Sequence, residues 1–295
     1  MGEVTIRPMR PEDVAEAERL SDESYHDLDT RTPVGSWLEP AHRTAEHSRS
    51  WARRTAHLLD TDPGGSWVAE RDGAMLGFAT SFTRELMWIL ASFAVRPGLQ
   101  GEGIGRALME PALHHGRGCL RGMLNASEDP KATRRYRAAG FTLHPQMFLR
   151  GTVDRSVLPV IEHVREGSAG DIDLMDSIDR RTRGAAHGSD HLVLIEGLRL
   201  LVTDRPAGSG YVYLRPDGSP VLLAATDRRT ATTLSWEAFA SSSPDQPVTL
   251  AHVTAANEWA VDVGMAARLD LHQRGYLAVR HMKPPAPYLP HGTLL

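Results

Sequence analysis

The chain has 295 residues, of which 41% are hydrophobic and 24% charged, typical of a soluble globular protein and long enough for two domains of about 150 residues. A formal net charge of −4 predicts no whole-protein attraction to nucleic acid or to an anionic membrane. No apolar run approaches the roughly 20 residues that span a bilayer, the first residues do not resemble a secretory signal, and a single cysteine excludes an intrachain disulfide. We expect a cytoplasmic protein, a monomer or a homodimer, without nucleic-acid or membrane partners.

The first half predicts a mixed α/β layer rather than an alternating βαβ repeat. A strand at 4–7 precedes two helices, and three strands follow, the first two joined by a hairpin turn at Asp72-Gly73. The third strand, 86–95, is apolar almost throughout, as expected for a central strand covered on both faces. A helix, a strand, a helix and a strand complete the order. The other predicted elements lie at 11–28, 39–59, 67–70, 75–82, 103–116, 119–125, from 127 and at 146–151, with a break at 32–35.

The second half repeats this order with weaker signals. Residues 136–151 align with 271–282, with Gly140 opposite Gly275, and a period of about 135 residues indicates an internal duplication. We therefore predict an N-terminal domain at 1–152 and a C-terminal domain at 153–295. The proline-rich segment from Lys283 predicts an extended strap on the surface. The predicted elements lie at 169–183, 199–203, 210–214, 221–226, 229–240, 247–253 and from 257.

Three glycines, Gly101, Gly103 and Gly105, lie at alternate positions between the apolar strand and the next helix. Glycines in such a place expose successive backbone N–H groups and remove Cβ atoms that block close approach. A helix N-terminus binds anions, typically phosphates. The G-x-G-x-G spacing and the element order do not fit a dinucleotide fingerprint, and the Lys-Ser/Thr of a Walker A loop is missing. The residues leave two interpretations, an anion-binding loop and a plain glycine-rich turn.

The stretch Val-x-Pro-x-x-Gln-Gly-x-Gly-Ile-Gly-x-x-Leu resembles motif A of the GNAT family of acyl-CoA-dependent N-acyltransferases. Gln100, Gly103 and Gly105 fill its defining positions. The later Tyr-x-x-x-Gly-Phe at 136–141 resembles a second element of the same family, in the expected order. The resemblance implies two tandem GNAT-like domains, each a mixed and mostly antiparallel sheet flanked by helices, with acetyl-CoA as co-substrate.

The resemblance also implies which residues bind acetyl-CoA. The exposed backbone of Phe93, Ala94 and Val95 would pair with the pantetheine arm as though the arm were an added strand. The backbone amides of the glycine stretch would hold the pyrophosphate against the positive end of the helix dipole. Those amides belong to Gln100, Gly101, Glu102, Gly103, Ile104, Gly105 and Arg106.

For the chemistry, the resemblance places the Tyr136 hydroxyl near the CoA sulfur as a general acid, and a tyrosine that only packs is the alternative. Transfer also requires a base for the amine. Many members of the family place a carboxylate on the strand before motif A, but 86–95 contains none. Glu70 on an earlier strand, His26 or a water chain remain the candidates.

Two charged segments have open interpretations. The acidic segment 22–29, DESYHDLD, falls where the family usually forms its acceptor pocket, and it suits a cationic amine or a solvated helix end. The basic residues Lys131, Arg134 and Arg135 could meet the 3′-phosphate of CoA or form a solvated helix face.

The second half departs from the family pattern. Its residues 226–239 contain no glycine, and its later helix has no tyrosine corresponding to Tyr136, so we expect this domain to have lost acyl-CoA binding. His187 and His191 have the spacing of a helical metal pair but no evident third ligand, so we expect no metal site. The leading prediction is an N-acetyltransferase acting on a primary amine of a small molecule. A non-catalytic acyl-CoA-binding or regulatory protein and a protein N-acyltransferase are the alternatives.

Overall fold

A computed structural model describes residues 2–32 and 39–295, so positions 33–35 of the predicted break lie outside the described residues. The chain divides into two compact units. Unit 1 comprises Met1–Leu124 and Glu128–Phe141, and unit 2 comprises Asn125–Ser127 and Thr142–Leu295. Within the described ranges, no helix combines the length and the apolar character of a membrane span.

Unit 1 has the predicted order of elements. A 3-10 turn at Pro11–Asp13 precedes the first helix. The second helix begins at Ala45 rather than at 39, because the Thr44 side chain caps it by accepting the N–H of His47. The elements are β1 (Thr5–Pro8), α1 (Val14–Arg31), α2 (Ala45–Thr61), β2 (Ser66–Arg71), β3 (Ala74–Arg84), β4 (Met87–Val95), α3 (Ile104–His115), β5 (Arg121–Ala126) and α4 (Pro130–Ala138).

The strands of unit 1 lie in the order β1-β2-β3-β4-β5, antiparallel except for the parallel pair of β4 and β5. Phe78 on β3 is buried in a cluster with side chains of α1 and α2, whereas the adjacent Gly77 faces Leu108 of α3. Because successive residues of a strand point to opposite faces, α1 and α2 cover one face of the sheet and α3 covers the other. Trp88 and Ile89 of β4 are fully buried, which confirms the prediction of a central strand covered on both faces.

Unit 2 repeats the element order of unit 1. Three of its strands form the antiparallel group β12-β6-β11, and the other five form the antiparallel sheet β13-β10-β9-β8-β7. The helix α6 and the two short strands β7 and β13 were not predicted from the sequence. The elements are β6 (Thr142–Gly151), β7 (Arg165–Glu166), α5 (Ile172–Thr182), α6 (Asp190–Gly197), β8 (Arg199–Arg205), β9 (Gly208–Leu214), β10 (Pro220–Ala225), α7 (Arg228–Ala240), β11 (Val248–Thr254), α8 (Glu258–Ala266), β12 (Asp270–Arg280) and β13 (Tyr288–Leu289).

The strand β6 was expected to complete the N-terminal domain at 1–152, but it lies in unit 2. It forms one ladder with β12 and another with β11, so its backbone hydrogen bonds join it to the second unit. The compact units therefore divide the chain about ten residues earlier than the predicted boundary, and residues 125–127 also belong to unit 2.

The helices α4 and α8 end in the same way, which fixes the register of the duplication. The N–H of Phe141 donates to the carbonyl of Tyr136 at 3.0 Å, and the N–H of Leu269 donates to the carbonyl of Gly264 at 2.9 Å. Both bonds close the same kind of helix C-terminus. Gly264 is therefore the structural counterpart of Tyr136.

The predicted pairing of Gly140-Phe141 with Gly275-Tyr276 is consequently wrong. The residue with positive φ at the end of α4 is Gly140 (φ 87°), and at the end of α8 it is Arg268 (φ 68°). Gly275 lies inside β12, where the register with β6 shifts. The sequence alignment followed a shared glycine, whereas in unit 2 an arginine makes the turn that ends the helix.

The proline-rich segment from Lys283 is also not the surface strap that was predicted. Tyr288 is fully buried and Leu289 is 2% exposed. Both residues belong to β13, which pairs with β10. A run of prolines predicted an extended backbone correctly, but it contained no signal that the backbone would form part of a sheet.

Candidate active site

The candidate site of unit 1 begins where β4 and β5 stop pairing. The parallel ladder joins Met87–Leu90 to 121–124, while β4 continues to Val95. Among the described residues, β5 has no partner for 91–95. The last five residues of β4 therefore have one edge that is not used by a neighbouring strand of unit 1.

Alternation along β4 decides which backbone groups face that edge. The N–H of Arg96 donates to the carbonyl of Leu76 on β3, and the register places Ala94 opposite Phe78. In an antiparallel ladder, hydrogen-bonded and non-hydrogen-bonded pairs alternate, so Ala94 bonds to β3. The backbone groups of Phe93 and Val95 point to the open edge. Of the three residues predicted to pair with the pantetheine arm, only these two have backbone groups on the open edge.

The Val95 carbonyl at this edge already accepts hydrogen bonds from two side chains. The amide of Gln100 donates to it at 3.2 Å, and the hydroxyl of Ser24 on α1 lies 3.4 Å away. Gln100 therefore fixes the beginning of the glycine loop against the end of β4. The free groups that remain on the edge are the N–H of Val95 and both backbone groups of Phe93.

Two of the three glycines shape the loop before α3. Gly101 has a φ of 108° and Gly103 a φ of 89°, a region that residues with a Cβ rarely adopt. A Cβ added at either position would meet no atom within 4 Å. Gly103 is the N-cap residue of α3 and provides no side-chain cap. The N-terminus of α3 is thus open on the side of the loop and has room for an anion.

The third glycine lies at a closely packed position, and its part in binding the pyrophosphate stays a prediction. Gly105 lies inside α3 and is buried. A Cβ there would lie 3.2 Å from the Phe93 ring and 3.4 Å from the guanidinium carbon of Arg135. Gly105 therefore allows α3 to approach β4 and α4 closely, and the positive φ values of the loop come from the two earlier glycines.

Two basic residues of α4 lie beside this loop. Lys131 donates from Nζ to the carbonyl of Gln100 at 3.1 Å, which ties α4 to the glycine loop. Burial lowers the pKa of Arg135, the Tyr136 phenol opposes this shift and the like charge of Arg106 adds to it. Among the described residues, neither Arg106 nor Arg135 has a carboxylate partner. Their unneutralised charge and the α3 N-terminus together favour an anion here.

Tyr136 lies on α4 with its side chain buried, at 5% exposure. Burial raises the pKa of its phenol far above the usual range, the Tyr25 phenol raises it further, and Arg135 opposes the shift. The phenol therefore remains protonated at neutral pH. In the part of the chain that the structure describes, no group hydrogen-bonds its hydroxyl. A protonated hydroxyl without a protein partner is the state required of a general acid.

The Gly-Phe pair after Tyr136 explains how the helix is held. Gly140 adopts the positive φ that ends α4. Phe141 is fully buried and its ring lies 5.9 Å from that of Trp88 on β4, centroid to centroid. The motif thus anchors α4, and with it Tyr136, against the strand whose open edge forms the site.

The carboxylates considered for the base and for the acceptor pocket are already paired. Glu70 accepts two hydrogen bonds from Arg7, at 2.9 and 2.7 Å. Asp22 accepts the backbone N–H of Arg43 and contacts His42. Such pairs leave little unneutralised negative charge for a cationic amine. The remaining ion pairs of this segment are Glu23 with Arg96 and Asp27 with Arg31.

His26 is the remaining side-chain candidate for the base. Its ring stacks on His42 with centroids 4.0 Å apart. Its Nδ1 is buried and has no hydrogen-bond partner among the described residues. The structure gives no contact between His26 and Tyr136, so the assignment of a base stays a prediction.

The corresponding helix of unit 2 is closed. The N-cap residue of α7 is Asp227, whose carboxylate accepts the N–H of Thr230 at 2.9 Å and its hydroxyl at 2.7 Å. The side chain that caps the helix therefore takes the position that Gly103 leaves open in unit 1. An anion approaching α7 would meet a carboxylate.

Unit 2 also contains a buried polar cluster that the sequence did not reveal. Asp179, His187 and His191 are all fully buried and their ligand atoms lie within 4.8 Å of one another. His187 Nδ1 and His191 Nε2 donate to the same carboxylate oxygen, at 2.6 and 3.2 Å. The Tyr211 hydroxyl donates to the other oxygen at 2.5 Å. Asp179 is thus the third group that the spacing of the histidines could not supply.

These three groups could hold a cation, but their surroundings do not favour one. Burial raises the pKa of Asp179, but His187, the hydrogen bond from His191 and the positive charge of the buried Arg183 together lower it below its usual range. A cation bound here would add to the positive charge of Arg183, which is itself buried, and burying like charges together is costly. The expectation of no metal site therefore stays a prediction, now on electrostatic grounds.

The fold and the open loop define a class of protein. Residues 23–141 match the model of the Acetyltransferase (GNAT) family, a family that uses acetyl-CoA as acyl donor. Solved structures superpose on nearly the whole chain. A protein from Pyrococcus horikoshii superposes with a TM-score of 0.74 at 15% identity, over 99% of this chain and 95% of that one. A tandem GNAT protein from the clavulanic acid biosynthesis pathway superposes with a TM-score of 0.57 at 12% identity, over 94% and 98%.

Residues 23–141 are therefore similar to the GNAT family, and the chain has the fold of a tandem GNAT protein, as the resemblance implied. Among curated proteins, a mycothiol acetyltransferase from Streptomyces avermitilis is 38% identical over 88 residues. That match covers 28% of this chain and 29% of the relative. The chain thus matches less than a third of the length of this curated relative.

Proposed function

We propose that the chain is an acetyl-CoA-dependent N-acetyltransferase that acts on a primary amine of a small molecule. The observation that carries the proposal is the open N-terminus of α3, beside the helix α4 on which Tyr136 is buried with no hydrogen-bond partner for its hydroxyl among the described residues. The name of the mycothiol acetyltransferase supports a small-molecule acceptor. The loop amides and Arg135 bind the pyrophosphate, and the backbone of Phe93 and Val95 binds the pantetheine arm.

Acyl transfer at this site involves bond exchange at the thioester and two proton transfers. The amine attacks the thioester carbonyl carbon, a C–N bond forms and the C–S bond breaks. Tyr136 gives its proton to the departing thiolate, and the proton lost by the amine passes to water. Because burial raises its pKa, the phenol carries this proton at neutral pH. The glycine loop holds the donor in position, which lowers the entropic barrier.

Tyr136→Phe tests this role, because the change removes only the hydroxyl. Turnover should fall about 100-fold or more, while the Kd for acetyl-CoA, measured by calorimetry, stays within about twofold because the ring still packs. Turnover is measured as CoA release with a thiol reagent over a panel of small-molecule amines. The matched control is Tyr276→Phe on β12 of unit 2, which should retain full turnover. Equal turnover in both variants would refute the acid role.

A non-catalytic acyl-CoA-binding protein is the second candidate. The pairing of Glu70 with Arg7 favours it, since the carboxylate considered as the base is already occupied. The same amine panel separates the two proposals. Tight binding of acetyl-CoA without CoA release on any amine or on a protein N-terminus would favour the binding protein.

A further inference from the structure

The segment from Pro285 onward lies along the edge of β10 in unit 2. Its strand β13 pairs antiparallel with β10, with Leu289 opposite Leu223 and Tyr288 opposite Ala224. The N–H of Ala225 also lies 3.3 Å from the carbonyl of Pro287, to which it donates. The other edge of β10 is occupied by β9. The segment therefore adds one more strand at the very end of β10.

That location corresponds to the open edge in unit 1. β10 follows β9 in unit 2 as β4 follows β3 in unit 1, and each strand leads directly to the helix of the glycine position. In unit 1 the last residues of β4 have a free edge, at Phe93 and Val95. In unit 2 the last residues of β10 have β13 on that edge. The chain's own backbone thus lies where a pantetheine arm would add as a strand.

Asn257 holds the segment at two points. Its side-chain amide donates to the carbonyl of Pro285 at 3.0 Å, and its side-chain oxygen accepts the N–H of Tyr288 at 2.9 Å. Asn257 is itself 1% exposed and immediately precedes α8. One side-chain amide therefore binds both a carbonyl and an N–H of the extended segment, as the backbone of an additional strand would.

The side chain of Tyr288 enters the buried polar cluster. Its hydroxyl lies 3.5 Å from Nε2 of His187, and Tyr288, His187 and Asp179 are all fully buried. The cluster therefore forms one end of a pocket for a tyrosine, with a hydrogen-bond partner at the bottom. The buried histidines have no role in the chemistry proposed for unit 1.

We propose that unit 2 has exchanged its acyl-CoA site for a peptide site, and that the ligand is the chain's own segment 285–289. The ligand class is an extended peptide with a tyrosine, bound by strand addition to β10, by the Asn257 clamp and by the tyrosine pocket. Two obstacles then keep acyl-CoA out of unit 2, the segment on the β10 edge and the Asp227 cap on α7. The chain binds one acyl-CoA, in unit 1, and this number rests on the function proposed above.

Hydrogen exchange and calorimetry on the full chain test the proposal. Acetyl-CoA should bind once per chain and protect the amides at 100–106, and the exchange of 223–230 should remain unchanged. Asn257→Ala should raise the exchange rate of the Tyr288 amide at least about tenfold, because that N–H loses its acceptor. A matched control, Gln246→Ala in an exposed loop, should leave that rate unchanged.

A labelled peptide with the sequence of 283–295 adds a direct measurement. It should bind a Tyr288→Ala chain, which keeps the Asn257 clamp but has lost the side chain that anchors its own segment, whereas the unaltered chain, and a peptide carrying Tyr288→Ala, should show at least about tenfold weaker binding. Two acetyl-CoA molecules per chain, or protection of 223–230 by acetyl-CoA, would overturn the proposal. Unchanged exchange at Tyr288 in Asn257→Ala would do so as well. If acetyl-CoA does not bind at all, the proposed function fails, and the exchange and peptide results still decide the peptide site.

Discussion

The N-termini of α3 and α7 follow equivalent strands, yet one is open and the other is closed. At α3 the N-cap residue is Gly103, which has no side chain and whose surroundings leave space. At α7 it is Asp227, whose carboxylate bonds to Thr230. A helix N-terminus needs an acceptor for its N–H groups, and the two units meet that need differently. Unit 2 supplies the acceptor from its own chain, so only unit 1 retains the requirement for a ligand.

The second helix of each unit shows the same contrast. Tyr136 on α4 has its counterpart in Gly264 on α8, as the matching helix-end hydrogen bonds show. A Cβ at Gly264 would lie 2.7 Å from Leu149 of β6, so a tyrosine does not fit there. Unit 2 has therefore lost the space for an acid as well as the space for a phosphate.

The largest effect is expected when the aspartate that caps α7 is placed at the N-terminus of α3. In Gly103→Asp the carboxylate would occupy the helix N-terminus, and aspartate tolerates the positive φ better than most residues. We expect the Kd for acetyl-CoA to rise about 100-fold, because the added charge repels the pyrophosphate. Calorimetry measures this value.

Gly98→Asp is the matched control for the transplanted cap. Gly98 lies in the same loop with a φ of 85° and no atom within 4 Å of an added Cβ, so strain and added charge are similar. It should weaken binding by no more than about threefold. Comparable losses in the two variants would mean that general repulsion, rather than occupation of the helix end, sets the affinity.

Acid should destabilise unit 2 through its buried cluster. Burial lowers the pKa of His187 to about 4, the positive charge of Arg183 lowers it further, and Asp179 opposes the shift. The unfolded chain takes up this proton near pH 6.5, whereas the folded chain does so only near the lower value. The free energy of unfolding should therefore fall as the pH drops from about 6.5 towards 4, by about 2 kcal/mol between pH 7 and about pH 5.

Urea unfolding followed by hydrogen exchange in unit 2 measures this dependence. His187→Gln, which retains a neutral hydrogen-bonding side chain beside Asp179 and Tyr288, should reduce the loss by roughly 2 kcal/mol. Exchange in unit 1 should depend less on pH over this range. An identical pH dependence in the variant and in the unaltered chain would show that His187 does not hold its neutral form in the folded state.

The smallest expected effect is the loss of the α7 cap. Asp227→Ala removes the acceptor for Thr230 and should lower the free energy of unfolding by about 1 kcal/mol. The melting temperature of unit 2 should fall by roughly 2–4 °C. The number of acetyl-CoA molecules bound should remain unchanged, since the segment 285–289 still lies on β10. A second binding event in this variant would show that the cap alone had excluded the ligand from unit 2.

Much of the site could be predicted because its signals are local in the sequence. The glycine loop lies between an apolar strand and a helix, and Tyr136 lies a fixed distance before the Gly-Phe pair that ends its helix. Local sequence did not separate the roles of the glycines, because only packing against Phe93 and Arg135 shows why Gly105 has no side chain. It also did not reveal that Ala94 bonds to β3, since that depends on the register of the ladder.

Short sequence patterns were enough to predict the order of the elements, the family resemblance and the glycine loop of the first half. The buried cluster and the strand added to β10 in unit 2 became evident only from the tertiary structure. Asp179 joins the two histidines through the fold of α5 onto the loop before α6. The segment from Pro285 joins β10 across about 60 residues of sequence. Contacts between distant segments depend on the packing of the whole unit, and no local pattern records them.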